Sequence, residues 1–130
     1  MSNISKSESI ITKKAYAFAL DIVKLYKELI SAKKEFILAK QVLRSGTSIG
    51  ANINEAISGQ SKRDFVHKLS IALKEARETL YWLNLLKDSD FINQENFTRL
   101  SLSCGEVIKI LSIILTTKEK YFNKQSTHNS

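Results

Sequence analysis

Apolar residues in this chain recur at alternating steps of three and four in four successive segments, and no proline interrupts them. Such steps return to the same face of a helix, so each segment is committed to an amphipathic helix that must bury one side. The first segment sets Ile11, Ala15, Phe18, Ile22, Leu25 and Leu29 in one stripe, with Ala19, Val23, Tyr26 and Ile30 beside it. An apolar face that wide suits a helix touching two neighbours. Residues 31–34 then supply a short polar connection, which predicts an antiparallel return.

The second segment repeats the stripe with Ala39, Val42, Gly46, Ile49, Ile53 and Ala56. Two glycines inside a helix cost about 1 kcal/mol each relative to alanine, so Gly46 and Gly50 need a reason. One reading is a broken helix or loop; the other is a neighbouring backbone passing close over both. The unbroken phase across residues 39–56 favours a continuous helix, ended by Ser58 and Gly59 as a C-terminal cap. Ser61 through Asp64 open the third helix in the manner of a capping box. Its stripe is Phe65, Leu69, Ala72, Ala76, Thr79, Leu83 and Leu86, and Asp88, Ser89 and Asp90 break it. Asn93 is the expected N-cap of the fourth, with Ile92 and Phe97 placed as a hydrophobic staple. Phe97, Leu100, Cys104, Val107, Leu111 and Ile114 carry its stripe.

Four such helices with short connections predict an all-α fold, an antiparallel up-down-up-down four-helix bundle. At 130 residues the chain holds one domain, assigned to residues 1–122, with 123–130 as a polar, frayed tail. The longest helix is expected to run about 27 residues, or ~40 Å. Tyr81, Trp82, Ile110 and Ile113, with Leu85 and Leu102, lie off the main stripes. Extra apolar surface of this kind marks either an oligomer interface or a thicker core in one copy; the first reading is preferred.

Lysine and arginine number 20 against 13 carboxylates, a net charge of +7. That balance suits RNA, acidic protein or anionic lipid, or simply solubility. The excess is spread along the chain rather than gathered in a basic tail. Lys40 and Arg44 lie one turn apart on the second helix, and Lys62 and Arg63 stand at the turn into the third, beside a helix N-terminus that favours anions. These four are the candidate nucleic-acid contacts, set against the plainer reading of a solvated charged face.

Catalytic and metal chemistry finds no foothold. One cysteine and two histidines cannot make a zinc site of the usual kind. Asp64 and His67 approach a di-metal Glu-x-x-His pattern only once, with Asp64 better explained as a cap and His67 on the polar side. Cys104 falls on the core stripe, as a buried inert thiol rather than a nucleophile. The glycine run at 46–50 lacks the lysine of a phosphate loop and the strand before it. No enzyme activity, cofactor, metal or small-molecule substrate is expected. The single cysteine excludes an internal disulfide and fits a reducing, cytoplasmic setting. Lys13 and Lys14 before the apolar residues 15–20 imitate a signal peptide, but Asp21 ends that stretch too early, and no uncharged run approaches a membrane span.

The runs LRSGTSIGANINEA at 43–56, GQSKRDF at 59–65 and IALKEARETLYWL at 71–83 are more specific. Together they resemble the 23S rRNA intervening-sequence protein family, over about residues 10–120. Gly50 stands where one branch of that family has proline, so the chain resembles the glycine branch. The resemblance implies an antiparallel four-helix bundle, a homopentamer and no catalysis. Some relatives are encoded within insertions in ribosomal RNA genes. A similarly folded accessory protein of retroelements binds a reverse transcriptase and its RNA through a positively charged pentamer. Arg44, Asn52, Glu55 and Glu78 match the family's polar positions; Asn52 and Glu55 are read first as structural hydrogen-bonding groups. The expected role is a cytoplasmic, non-enzymatic homo-oligomer that binds RNA or a reverse-transcriptase-like nucleoprotein through basic surface. A protein-interaction scaffold without nucleic acid is the alternative.

Overall fold

The structure is a computed structural model that describes the backbone of residues 5–128 and the side chains of residues 5–117. Four helices follow in order: α1 (Lys6–Ser31), α2 (Ile37–Ile57), α3 (Lys62–Asp88) and α4 (Gln94–His128). Each packs on its sequence neighbour and α4 closes back on α1, while among the described residues neither diagonal pair brings its backbones within 8 Å. That is the up-down-up-down bundle the spacing predicts.

The stripes are the core. Every member read for α1 and α2 is buried, and in α3 and α4 only the first, Phe65 and Phe97, is partly open. A one-residue shift of phase would have moved the α1 stripe onto half-buried or exposed positions, so the three-four alternation carries the register. Ser45 and Thr79, both fully buried, add a polar lock between α2 and α3: Thr79 Oγ1 lies 2.9 Å from Ser45 Oγ and donates to the Glu75 carbonyl at 2.8 Å. The Ser45 side chain thus belongs to the core. Among the described residues no buried side-chain polar atom lacks a partner.

α2 runs unbroken through its glycines, and only one of them is required there. A Cβ on Gly46 would stand 2.9 Å from both Cγ1 and Cγ2 of Ile22, a β-branched side chain with no room to retreat. On Gly50 it would meet Ala15 at an ordinary 3.7 Å. The close neighbour at Gly46 is thus a side chain and not the backbone expected over both glycines, while the Ala15 backbone passes the Gly50 position at an uncrowded 3.8 Å.

The caps follow their residue chemistry. Ser61 Oγ accepts from the Asp64 N–H at 3.0 Å, and Asn93 Oδ1 from the Asn96 N–H at 2.8 Å. Ser5 and Glu8 complete a reciprocal box at the start of α1, which the sequence reading passed over. Gly59 follows the α2 cap residue Ser58 without a positive φ, so its use there is not the left-handed cap expected. The left-handed positions are Lys34 (φ 56°) and Asp90 (φ 64°), in the α1–α2 and α3–α4 connections. Glu35 stands in for a cap on α2, its Oε1 accepting from the N–H groups of Leu38 and Ala39.

α4 is longer than any helix expected, 35 residues, and continues through residues 123–128. Nothing in that stretch breaks a helix, for it lacks glycine and proline. Residues 129 and 130, the end of the tail, lie outside the described residues. By length and composition alone the span Gln94–Thr117 could cross a membrane, but its Leu100, Cys104, Val107, Leu111 and Ile114 are buried within the bundle.

Candidate nucleic-acid interface

The antiparallel register of α2 and α3 places the charged side chains. Arg44 pairs with Glu75 at 3.3 Å and with Glu78, and Lys68 with Glu55 at 2.8 Å. Lys40 therefore lies near the end of α3, whereas Lys62 and Arg63 lie at its beginning, past the end of α2. About 20 Å of helix separates Arg44 from the last turn of α2. The four residues singled out from sequence do not converge on one patch.

Their states also differ. Lys40 and Arg63 are exposed, with no ion pair among the described residues, and Lys62 is exposed at the helix start. Arg44 is held between two carboxylates of α3, which raise its affinity for the proton, the Glu78 hydrogen bond most of all. Its side chain stays 53% exposed, but its charge is already paired with the protein's own carboxylates. Glu78 Oε2 also accepts from Trp82 Nε1 at 3.0 Å. That bond leads the causes that hold the Glu78 carboxyl below its ordinary value, with Arg44 adding to it. Arg44, Glu75, Glu78 and Trp82 form one network that ties α2 to α3. Glu55 raises the Lys68 ammonium in the same way across the other end of the pair. Asn52 Nδ2 donates to the Ser48 carbonyl at 2.8 Å, within its own helix.

The outer face of α3 gathers positive charge. Its exposed residues are Lys62, Arg63, His67, Ser70, Lys74, Arg77, Tyr81, Asn84 and Asp88. From Arg63 onward these step four, three, four, three, the same alternation as the core stripe on the opposite side. Asp88, at the end, is the first carboxylate among them. Glu75 and Glu78 turn aside toward α2, and neither Lys74 nor Arg77 has an ion pair among the described residues. Lys74 and Arg77 enter the sequence reading only within the run at 71–83; the polar stripe, stepped as the apolar one was, contains them.

Beside this face α3 and α4 leave an open groove of about 450 Å³, lined by Ser70, Leu73, Lys74, Arg77, Ser112, Leu115 and Thr116. Of the apolar residues in excess of a core, Tyr81 and Ile113 are exposed, by 60% and 57%, and Leu102 by 67%. Trp82 and Ile110 are instead half-buried against this bundle's own core. Tyr16, Leu20, Phe36 and Ile37 add exposed apolar surface on α1 and around the first connection.

Cys104 sits in the core, its Sγ 3.2 Å from the Ala76 carbonyl, and burial pushes the thiol up to about 12. A thiol so placed holds its proton at neutral pH and is a poor nucleophile. Among the described residues no three of the His, Cys, Asp or Glu side chains gather as metal ligands.

These features define a four-helix-bundle protein whose α3 presents a cationic outer face, as does α1 through exposed Lys6, Lys13, Lys24 and Lys27. The chain belongs to the 23S rRNA-intervening sequence protein family, whose pattern it matches over residues 7–113. Its structure is similar to that of a protein of unknown function from the S23 ribosomal protein family of Bacteroides thetaiotaomicron. The two are 47% identical, with a TM-score of 0.84, over 85% of this chain and 98% of the other. Comparison with curated proteins finds no match.

Proposed function

We propose that the protein is a non-enzymatic, cytoplasmic homo-oligomer that binds RNA, alone or within a nucleoprotein, through the outer face of α3. The observation that carries this reading is the run of exposed cations Arg63, Lys74 and Arg77 with no carboxylate on the same face before Asp88. A surface of exposed cations releases counterions from a phosphate backbone and gains affinity by doing so. The family's name, which ties its members to intervening sequences of 23S rRNA, supports RNA over other polyanions. Exposed Tyr81, Leu102 and Ile113 supply apolar surface for self-assembly, and the pentamer implied by the family resemblance would multiply the cationic face around a ring.

Fluorescence anisotropy of a labelled structured RNA, titrated with the full chain across salt concentrations, tests the reading. Affinity should fall steeply with salt and vary little with sequence. Lys74→Glu with Arg77→Glu should weaken binding more than tenfold at low salt, on the order of two lost phosphate contacts turned repulsive. Arg44→Gln should matter less, because that guanidinium is already paired. Absence of salt-sensitive binding at low ionic strength would overturn the proposal. The same exposed apolar residues favour a second reading, a protein-interaction scaffold. There, polar substitutions at Tyr81 and Ile113 would abolish partner capture and the charge reversals on α3 would leave it intact.

A further inference from the structure

The groove between α3 and α4 has a composition that the cationic face alone does not explain. Its floor is apolar, Leu73 and Leu115, and one wall carries Lys74 and Arg77, three residues apart. Three hydroxyls complete the lining, and all three have committed their protons. Ser70 Oγ donates to the Val66 carbonyl, Ser112 Oγ to the Ile108 carbonyl, and Thr116 Oγ1 to the Ser112 carbonyl, each at 2.8 Å. Such hydroxyls offer lone pairs to the groove, not protons. They would serve an anion poorly and an N–H donor well. A ligand that satisfies every wall therefore has a flat body for the leucines, N–H groups for the hydroxyl oxygens and an anionic group for Lys74 and Arg77.

We infer that this groove receives one unpaired nucleotide of an RNA strand. The base lies over Leu73 and Leu115 with its amino or imino edge toward the hydroxyls, and the phosphate is held by Lys74 and Arg77. The volume, about 450 Å³, falls within the range of small-ligand sites. The groove opens beside the α3 face, so a strand tracking those cations passes its mouth. Unpaired bases can be splayed into such a site, whereas a duplex keeps its bases stacked and offers only phosphate and sugar. The inference rests on the RNA-binding reading and adds to it a preference for single-stranded segments.

The test compares a labelled RNA hairpin bearing an unpaired loop with a blunt duplex of the same stem, each titrated with the full chain at fixed salt. The hairpin should bind about tenfold tighter, the scale of laying one base face on the apolar surface of the two leucines. Ser70→Leu fills the groove from an exposed position without altering charge. It should bring hairpin affinity down to that of the duplex and leave duplex affinity unchanged. Thr116→Leu, from the facing helix, should do the same and stands in if the first variant melts early by circular dichroism. Equal binding of hairpin and duplex by the native protein, or full hairpin binding by both filled variants, overturns the inference while leaving RNA binding by the α3 face intact. Binding of neither RNA removes both. Competition by free uridine or adenosine monophosphate at micromolar concentration would also overturn it, because the occupant would then be a soluble nucleotide.

Discussion

At the scale of single residues, two glycines in one helix have opposite value. Gly46 faces Ile22 with no space for a methyl group, so Gly46→Ala should destabilise by about 1–2 kcal/mol, overpacking outweighing the gain in helix propensity. Gly50→Ala meets only ordinary contact with Ala15 and should stabilise by up to about 1 kcal/mol. Urea melts of the two variants check both signs. Glu78 offers a second residue-scale test. Its folded carboxyl lies below the ordinary glutamate value of 4.5, through Trp82 and then Arg44. A group shifted down stabilises the fold where it is ionised, so its contribution is complete above the ordinary value and is lost as pH falls through the folded one. Glu78→Gln should cost about 0.5–1 kcal/mol at neutral pH, the pair being partly screened by solvent. The gap between variant and native protein should close well below pH 4.5, which denaturant melts across pH would show.

At the scale of elements, the ends of the helices depend on side chains that a propensity count overlooks. Ser61 and Asn93 each accept a backbone N–H that would otherwise be orphaned. Ser61→Ala and Asn93→Ala should each lower stability by about 1 kcal/mol, read as parallel shifts in urea midpoint with unchanged slope. Both caps were legible, since a short polar residue stood just before an apolar period. The entry to α2 was not: Phe36 is its cap residue and Glu35 reaches forward to do the bonding, an arrangement with no fixed spacing to read. The left-handed turns at Lys34 and Asp90 were equally hidden, for neither is glycine. The polar stripe of α3 was legible in principle. Arg63, His67, Ser70, Lys74, Arg77 and Tyr81 obey the same alternation as the core, displaced to the far side of the helix.

At the scale of the whole molecule, the apolar residues left outside the core bear on assembly. Leu102 and Ile113 share the outer face of α4, each more than half exposed. If that face joins copies of the chain, Leu102→Glu with Ile113→Glu should yield a monomer by light scattering while the helical circular dichroism is retained. A native protein that is already monomeric at micromolar concentration would sink the oligomer. Trp82 and Ile110, grouped with these residues by their distance from the main stripe, turned out to pack against their own bundle. Helical phase measures the angle from the stripe, but it does not say how wide a seam two neighbouring helices will close.

The apolar alternation was enough to determine the number of helices, their buried faces and their antiparallel order. Each helix must hide one stripe, and short connections leave few ways to do so. Which cations remain available was decided only by tertiary packing. Arg44 and Lys74 are alike as isolated basic residues on helix surfaces, but the register of α2 against α3 places two carboxylates in ion-pair contact with the first, whereas among the described residues the second makes no ion pair and acts on Glu78 only at longer range. Charge is additive along a sequence, but its compensation depends on distances across helices, and those exist only in the folded bundle.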